Sequence, residues 1–309
     1  HWLKYVGPVH GVFGRDCLMI EYKKTRSKFW LKIFDDEATH TNISANKMVM
    51  GLLQEISPHL ISCSPKGWKE SSNIPGNYNL WIPNDRMDWE ALENVETWAE
   101  RANQHIWLGT NKNTAPYFCG DEVDYCLAAD WNIDLESQKR TIIGEAEYQL
   151  KYNLPKELIN KEDAHQYASL LTTAVLDCIA CLPINLSNFV VVSIPATEEK
   201  QKKLAWKLAK HIAKKIERPF IKATLKSEKP QMKEQTVEDK VRIWRKIFCD
   251  EDMLDFSDDI LGANILIIDD LYQSGASIWC FAEYLKECCD ARTVIAITPV
   301  KALKDGGNK

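Results

Sequence analysis

ILIIDDLYQSGAS (residues 265–277) runs four apolar residues into two adjacent acids, then into a loop of small and hydroxyl side chains. Ile265 to Ile268 have the continuous, mostly β-branched apolar character of a strand covered on both faces. ASIWCFAEYLKECC, from residue 276, has helical spacing. Asp269 and Asp270 therefore end a buried strand, where open α/β sheets place their ligands. One aspartate there would serve as an ordinary cap for the next helix, whereas two are costly without a partner. Gln273-Ser274-Gly275-Ala276-Ser277 leads into the helix N-terminus, whose unpaired amides and positive dipole end suit a phosphate. Gly275 lets the main chain approach closely, and Ser274 and Ser277 add hydroxyl donors. The carboxylates cannot share that role; they suit the hydroxyls of a ribose, or a magnesium ion shared with it. Together the two halves describe a receptor for a ribose 5-phosphate.

Working outward, strand and helix signals alternate. Residues 161–181 read as a helix opened by Asn160 or nearby polar residues, and NFVVVSI (188–194) as a strand. Leu204, Leu208, Ile212 and Ile216 form one helical stripe among lysines. PFIKATL (219–225) reads as a second strand, 226–259 as a polar excursion, NILIIDD (264–270) as a third strand and TVIAIT (293–298) as a fourth. This alternation predicts a parallel sheet with right-handed crossovers. Eight of the 11 tryptophans lie at or before Trp131, and a lysine-rich composition follows, which places a boundary near residue 140. The expected organisation is an α+β module over 1–140 and an α/β domain over 141–309. Within the former, DCLMIEYKKTRSKFWLKIF reads as a hairpin, NKMVMGLLQEI and DWEALENVETWAERANQHIW as helices, and SPKGWKESSNIPGNYN as a loop. No motif there identifies a chemistry.

At 309 residues, 45% hydrophobic and 27% charged, the composition is that of a soluble globular protein, and the net charge of −5 argues against a generic nucleic-acid binder. No apolar run is long enough for a membrane span, and HWLKYVGPVHGVFGRD lacks the layout of a secretory signal. Ten cysteines without a regular framework indicate a reducing, cytoplasmic setting. Cys178 and Cys181 fall in a periodic helical stretch and read as core positions. Cys119 and Cys126 are a zinc candidate without a second pair, and Cys288 and Cys289 are expected to pack.

IIDDLYQSGAS strongly resembles the phosphoribosyl-diphosphate (PRPP) signature of type I phosphoribosyltransferases: a hydrophobic run, Asp-Asp, two residues, then a hydroxyl-Gly-x-hydroxyl loop. Gln273 stands where that family has a further hydroxyl residue. More loosely, 141–303 is similar to the ComF-type branch. IIGEAEYQLKYNLP matches its opening segment, Ser193-Ile194-Pro195 its first strand end, Pro230-Gln231 its mobile loop and KIF the segment ahead of the signature strand. The resemblance implies a type I phosphoribosyltransferase-like parallel sheet flanked by helices. It also implies a Mg2+-dependent substitution at the anomeric carbon of PRPP or a related nucleotide. Asp269 and Asp270 would be catalytic and would meet magnesium through the substrate, and Gln273, Ser274, Gly275, Ala276 and Ser277 would bind the ribose 5-phosphate. Pro195, Ala196, Thr197, Lys200, Lys229 and Gln231 would serve the pyrophosphate and mobile loops, and Lys301 the incoming base. Similar domains occur in bacterial anti-phage conflict systems. The resemblance therefore also implies an alternative, a non-catalytic or conditionally active PRPP- or nucleotide-binding module that regulates a nucleoprotein or other antiviral-defence partner. A homo-oligomer is compatible with either, and neither involves a membrane.

The chain departs from the family after the first strand. Ser193-Ile194-Pro195-Ala196-Thr197 leads directly to Glu198-Glu199, with Lys200, Lys202 and Lys203 behind, where the ComF-type pattern has a longer Arg- and Gly-containing insert. Two acids beside a diphosphate are unfavourable unless a cation intervenes. The ribose phosphate site thus reads as intact and the diphosphate site as altered, implying a different leaving group or a binding domain without turnover. The family's four-cysteine zinc element is also missing from 1–140. Residues 226–246 stand in the place of the mobile loop, with Lys226, Lys229, Lys240, Arg242 and Arg245 as candidates to reach the diphosphate. Over 198–246 there are 16 Lys and Arg against seven Asp and Glu. That surplus reads first as a solvated helix face and loop, and second as a nucleic-acid surface with Trp206 and Trp244 as its aromatics. The acidic stretch 250–259 reads as a surface connection, and His165 and His211 as structural.

Overall fold

The computed structural model describes residues 7–8, 17–36, 39–197, 203–227, 235–250 and 253–304. The fold is mixed α/β and divides into two compact units, one within His1–Ile106 and Ala180–Pro183, the other within Trp107–Ile179 and Ile184–Lys309.

The first unit holds β1 (Gly7–Pro8), β2 (Cys17–Lys23), β3 (Trp30–Asp36), β4 (His40–Asn46), α1 (Lys47–Ile56), α2 (Pro58–Ser62), β5 (Trp68–Glu70), β6 (Asn77–Pro83) and α3 (Trp89–Ala102). Its strands form an antiparallel sheet in the order β1-β2-β3-β4-β6-β5. Alternate residues are buried, for example Leu31 and Ile33 on β3 and Thr41, Ile43 and Ala45 on β4, as expected of a sheet with one covered face. Asn46 and Asp88 cap α1 and α3 through bonds from the amides of Val49 (3.0 Å) and Ala91 (2.9 Å). The expected hairpin and both helices are present. The segment expected to be only loop contributes Trp68–Glu70 as an edge strand paired with Tyr78–Leu80, its three residues being too short to show a period.

The second unit contains β7 (Ile106–Leu108) and α5 (Lys161–Ala180), apart from the boundary residues Ile106 and Ala180, together with β8 (Tyr125–Trp131), α4 (Ile142–Tyr148), β9 (Phe189–Ser193), α6 (Leu204–Lys215), β10 (Ala223–Leu225), α7 (Val237–Phe248), β11 (Leu254–Phe256), β12 (Asn264–Ile268), β13 (Leu271–Tyr272), α8 (Ala276–Cys288) and β14 (Thr293–Lys301). The sheet order is β7-β8-β14-β12-β9, with β8, β14, β12 and β9 parallel. Parallel bridges Val191–Phe220 and Ala196–Thr224 lay 220–224 along the far side of β9. Val192, Ile265, Ile267, Val294 and Ala296 pack with Trp244 and Phe248 of α7 and Trp279, Phe281 and Leu285 of α8 in one cluster. On the other face α6 packs on β9 and β12, and α4 on β8 and β14. Burial on both faces is what the continuous apolar runs require. Asn160 opens α5, its side chain accepting the amide of Asp163 at 2.8 Å.

Two expectations shift. The division falls between Ile106 and Trp107, well before residue 140, because β8 belongs to this sheet as the parallel partner of β14. The acidic connection at 250–259 contains β11, antiparallel to β10. Among the described residues, no helix is long and apolar enough to cross a membrane.

The thiols sort by burial. Cys126, Cys178, Cys181, Cys280 and Cys289 are buried, whereas Cys119, Cys249 and Cys288 are exposed, so Cys288 does not pack as expected. Burial pushes the Cys280 thiol up to about 12 and raises those of Cys126 and Cys289 as well. With a colorimetric disulfide reagent at neutral pH, Cys119, Cys249 and Cys288 should react rapidly in the native protein. The five buried thiols should react only after guanidinium unfolding; rapid native labelling of Cys126 or Cys280, mapped by mass spectrometry, would contradict the packing described.

Candidate functional site

From β9 the chain moves outward to 220–224 on one side, then returns to β12 on the other, so the order reverses between β9 and β12. Such a reversal opens a crevice beyond the carboxyl ends of the two strands. Ser193 and Ile268 close the two strands in register, and Asp269 and Asp270 follow directly. Asp269 N donates to Ile297 O at 3.2 Å. The next rung of a parallel ladder would be donated by residue 299, and Pro299 has no N–H. The chain therefore leaves the ladder at the two acids and rejoins β14 only at Leu271–Tyr272. Between these points Asp270 N donates to Asp269 Oδ1 at 2.9 Å, and both acids are half-buried.

A third group joins them that the sequence reading did not assign. Lys151 Nζ lies 3.1 Å from Asp270 Oδ2 and 3.0 Å from Glu147 Oε1. Glu147 projects from α4, whose start is fastened to the end of β8. Thr141 Oγ1 donates to Trp131 O at 2.5 Å and accepts the Gly144 amide at 2.9 Å. Gly144 itself sits so close that a Cβ would stand 2.1 Å from Asn132 O. After α4 the chain makes a π-helical turn over Gln149–Asn153, and this turn carries Lys151. Burial opposes the Lys151 charge, but Asp270 and then Glu147 outweigh it and hold its pKa above the ordinary lysine value. Burial raises the Glu147 pKa, against the pull of Lys151. A lysine raised on folding contributes stability that is complete below its ordinary pKa and is lost only as pH climbs through the raised one, so the Lys151 contribution is retained throughout the neutral range.

The loop beyond the acids is built on Gly275, which has φ of +83°. A Cβ there would meet Tyr272 Oη at 2.2 Å and Trp279 Cδ1 at 2.9 Å. Tyr272 is fixed beneath it by a 3.0 Å bond from Trp279 Nε1. Ser274 is buried and its Oγ accepts the Ala276 amide at 3.4 Å, while Gln273 and Ser277 are half-buried. Gly275, the N-cap of α8, has no side chain to cap the helix, and with the Ala276 amide given to Ser274 the next first-turn amides remain for an anion. Lys301 is buried on β14, its Nζ donating to Gln273 O at 3.1 Å and Ala302 O at 2.8 Å, with the Tyr272 and Trp131 rings within 5.4 and 5.7 Å. It braces the loop from within.

Of the residues expected around a diphosphate, Pro195 is buried, and Ala196 O accepts the Leu225 amide at 3.1 Å. Thr197 Oγ1 is buried with no hydrogen-bond partner among the described residues. Lys200, Lys229 and Gln231 lie outside the described residues. Lys226 pairs with Asp255 (3.3 Å) and Arg242 with Asp239 (2.7 Å). Arg245 forms a two-pronged pair with Glu283 (2.6 and 2.8 Å) and donates to Tyr117 O, tying α7 to α8. Lys240 is buried, and that burial lowers its pKa.

The Cys119–Cys126 zinc expectation is overturned. Cys126 is 2% exposed within β8. Cys119 lies near Asp121 and Glu122, but the Glu122 carboxylate accepts the amides of Cys119 (2.7 Å) and Gly120 (2.8 Å) and closes a turn. A shallow hollow of about 560 Å³, lined by Arg140, Ile142, Glu145 and Tyr167 among others, lies at the start of α4 and does not include the acid pair. Compared with protein-family models and with curated proteins, the sequence matches none.

Proposed function

We propose that the second unit binds a ribose 5-phosphate, as part of PRPP or a related nucleotide, and exchanges the substituent at its anomeric carbon in the manner of a type I phosphoribosyltransferase. The observation that carries this reading is the placement of Asp269-Asp270 and the uncapped Gly275–α8 turn in one loop, beyond the strand end where the sheet order reverses. The carboxylates would take the two ribose hydroxyls, and the amides the 5-phosphate. In the reaction the bond from C1 to the diphosphate oxygen breaks with its electron pair on the diphosphate. A nucleobase nitrogen then supplies the pair for the new C–N bond and loses its proton to solvent. Asp269 and Asp270 would face the positive charge that develops on the sugar, which is electrostatic stabilisation at fixed geometry.

The donor set does not suit a resident magnesium ion, because Asp270 Oδ2 already faces the Lys151 ammonium at 3.1 Å. Any magnesium in this reading arrives on the diphosphate, as part of the substrate. A second reading, a module that binds such a ligand and regulates a partner without turnover, draws on that same ion pair and on Glu198-Glu199 in the sequence after β9.

Incubating the protein with PRPP, magnesium and a panel of nucleobases, or with NAD and other nucleotides, tests the catalytic reading. Pyrophosphate or free base should be released, and Asp269→Asn with Asp270→Asn should lower the rate by about 100-fold or more. Turnover at the wild-type rate in the double variant would refute the assignment of these acids. Ligand binding by calorimetry without turnover would leave the regulatory reading standing.

A further inference from the structure

We propose that the ammonium of Lys151, and not a divalent cation, is the standing countercharge of Asp270, so that this site grips a ribose 5-phosphate lacking a diphosphate without metal. The inference rests on the ribose 5-phosphate reading above and narrows it.

Three observations combine. First, Lys151 Nζ bridges two carboxylates from different elements, Glu147 at 3.0 Å and Asp270 at 3.1 Å. Second, the bridge is largely withdrawn from water: the side chains of Glu147, Asp270 and Lys151 are 7%, 15% and 27% exposed. Third, Lys151 is delivered by a π-helical turn at the end of a helix whose start is locked to β8 by Thr141 and by the close approach of Gly144 to Asn132.

A magnesium ion bonds oxygen at about 2.0–2.1 Å in strict octahedral geometry and keeps several waters. Drawn to Asp270 Oδ2 it would confront an ammonium already in contact with that oxygen. The ammonium is not free to withdraw, since its departure would leave Glu147 buried and unpaired. Asp270 is thus oriented and partly neutralised by a group the chain supplies itself. The second carboxylate oxygen of Asp270 would accept from a neutral sugar hydroxyl, for which no metal is needed. The ligand class this favours is a pentose 5-phosphate or nucleoside monophosphate.

Calorimetric titration of ribose 5-phosphate and of AMP, each in EDTA and in magnesium, tests the proposal. The wild-type protein should bind at least one of them with dissociation constants that agree within about twofold between the two buffers. Lys151→Gln should weaken binding about tenfold in EDTA and recover in magnesium, because the dication can then take the vacated place. Lys151→Arg should keep metal-independent binding. Glu147→Gln combined with Lys151→Gln removes the stranded acid and serves if the single variant fails to fold. Binding by the wild type only in magnesium would overturn this proposal while leaving the ribose 5-phosphate reading in place. So would unchanged binding in EDTA by the Gln variant. Failure of both ligands in both buffers would instead remove the ribose 5-phosphate reading itself, and this inference with it.

Discussion

Gly275→Ala is expected to destabilise the second unit by about 3 kcal/mol and to abolish ligand binding. An alanine at φ of +83° costs about 1–2 kcal/mol for its left-handed backbone. Its Cβ would also stand 2.2 Å from Tyr272 Oη and 2.5 Å from Cζ. Tyr272 has no room to yield, because it is 1% exposed and hydrogen-bonded to Trp279. Moving it adds about 1–3 kcal/mol of overpacking. For a unit of this size the melting midpoint should fall by roughly 6–12 °C, measured by circular dichroism. Because the same displacement re-aims the amides that open α8, ribose 5-phosphate affinity should be lost even at temperatures where the variant stays folded. Tyr272→Phe in the Gly275→Ala background removes the closest contact and should return part of the stability. A variant as stable as the parent, with unchanged affinity, would show that the turn differs from the one described.

Gly144→Ala should behave opposite to an ordinary helix substitution. Replacing a helical glycine by alanine usually gains about 1 kcal/mol. Here the added Cβ would lie 2.1 Å from Asn132 O and 2.7 Å from its carbonyl carbon, both backbone atoms that cannot rotate aside. The helix must lift from the end of β8, at a cost of about 3 kcal/mol. The more informative consequence is at a distance. Lifting α4 carries the Gln149–Asn153 turn with it and draws Lys151 away from Asp270. Two readouts are therefore expected together, a lower melting midpoint and weaker metal-free binding of ribose 5-phosphate. Stabilisation by the substitution would mean that α4 does not press on Asn132 as described.

The sheet's inner strands were legible because each is a short, uninterrupted run of β-branched residues, a pattern that burial on both faces imposes. β8 was not. Its sequence, YCLAADW, mixes small residues with an acid, and its identity depends on pairing with β14, more than 160 positions away. The boundary near residue 140 was misplaced for the same reason, since composition changes there but the hydrogen bonds do not. β11, three residues long, is too short for any period to show, whereas β10 falls within the strand expected at 219–225.

At the site, the acids, the glycine and the helix that follows are contiguous in sequence and could be read in one stretch. Lys151 and Glu147 reach them only through the fold. A π-helical turn adds a residue without disturbing composition, so the register that brings Lys151 to Asp270 leaves no trace in a 3.6-residue pattern. The IIGEAEYQLKYNLP segment carried the only hint. The basic residues of α7 show the converse. Arg242 and Arg245 looked available from their charge, yet each already faces a carboxylate, Asp239 and Glu283 respectively.

Pro299 places a ring nitrogen opposite the two acids where every other residue type would offer a hydrogen. The sheet is consequently unable to zip shut along that seam, however favourable completion would be for its neighbours. The gap is written into covalent chemistry and cannot be closed by a fluctuation. An imino acid on one strand thus keeps a pair of charges on another from being absorbed into regular pairing, and the resulting fault line is a permanent fixture of the folded chain.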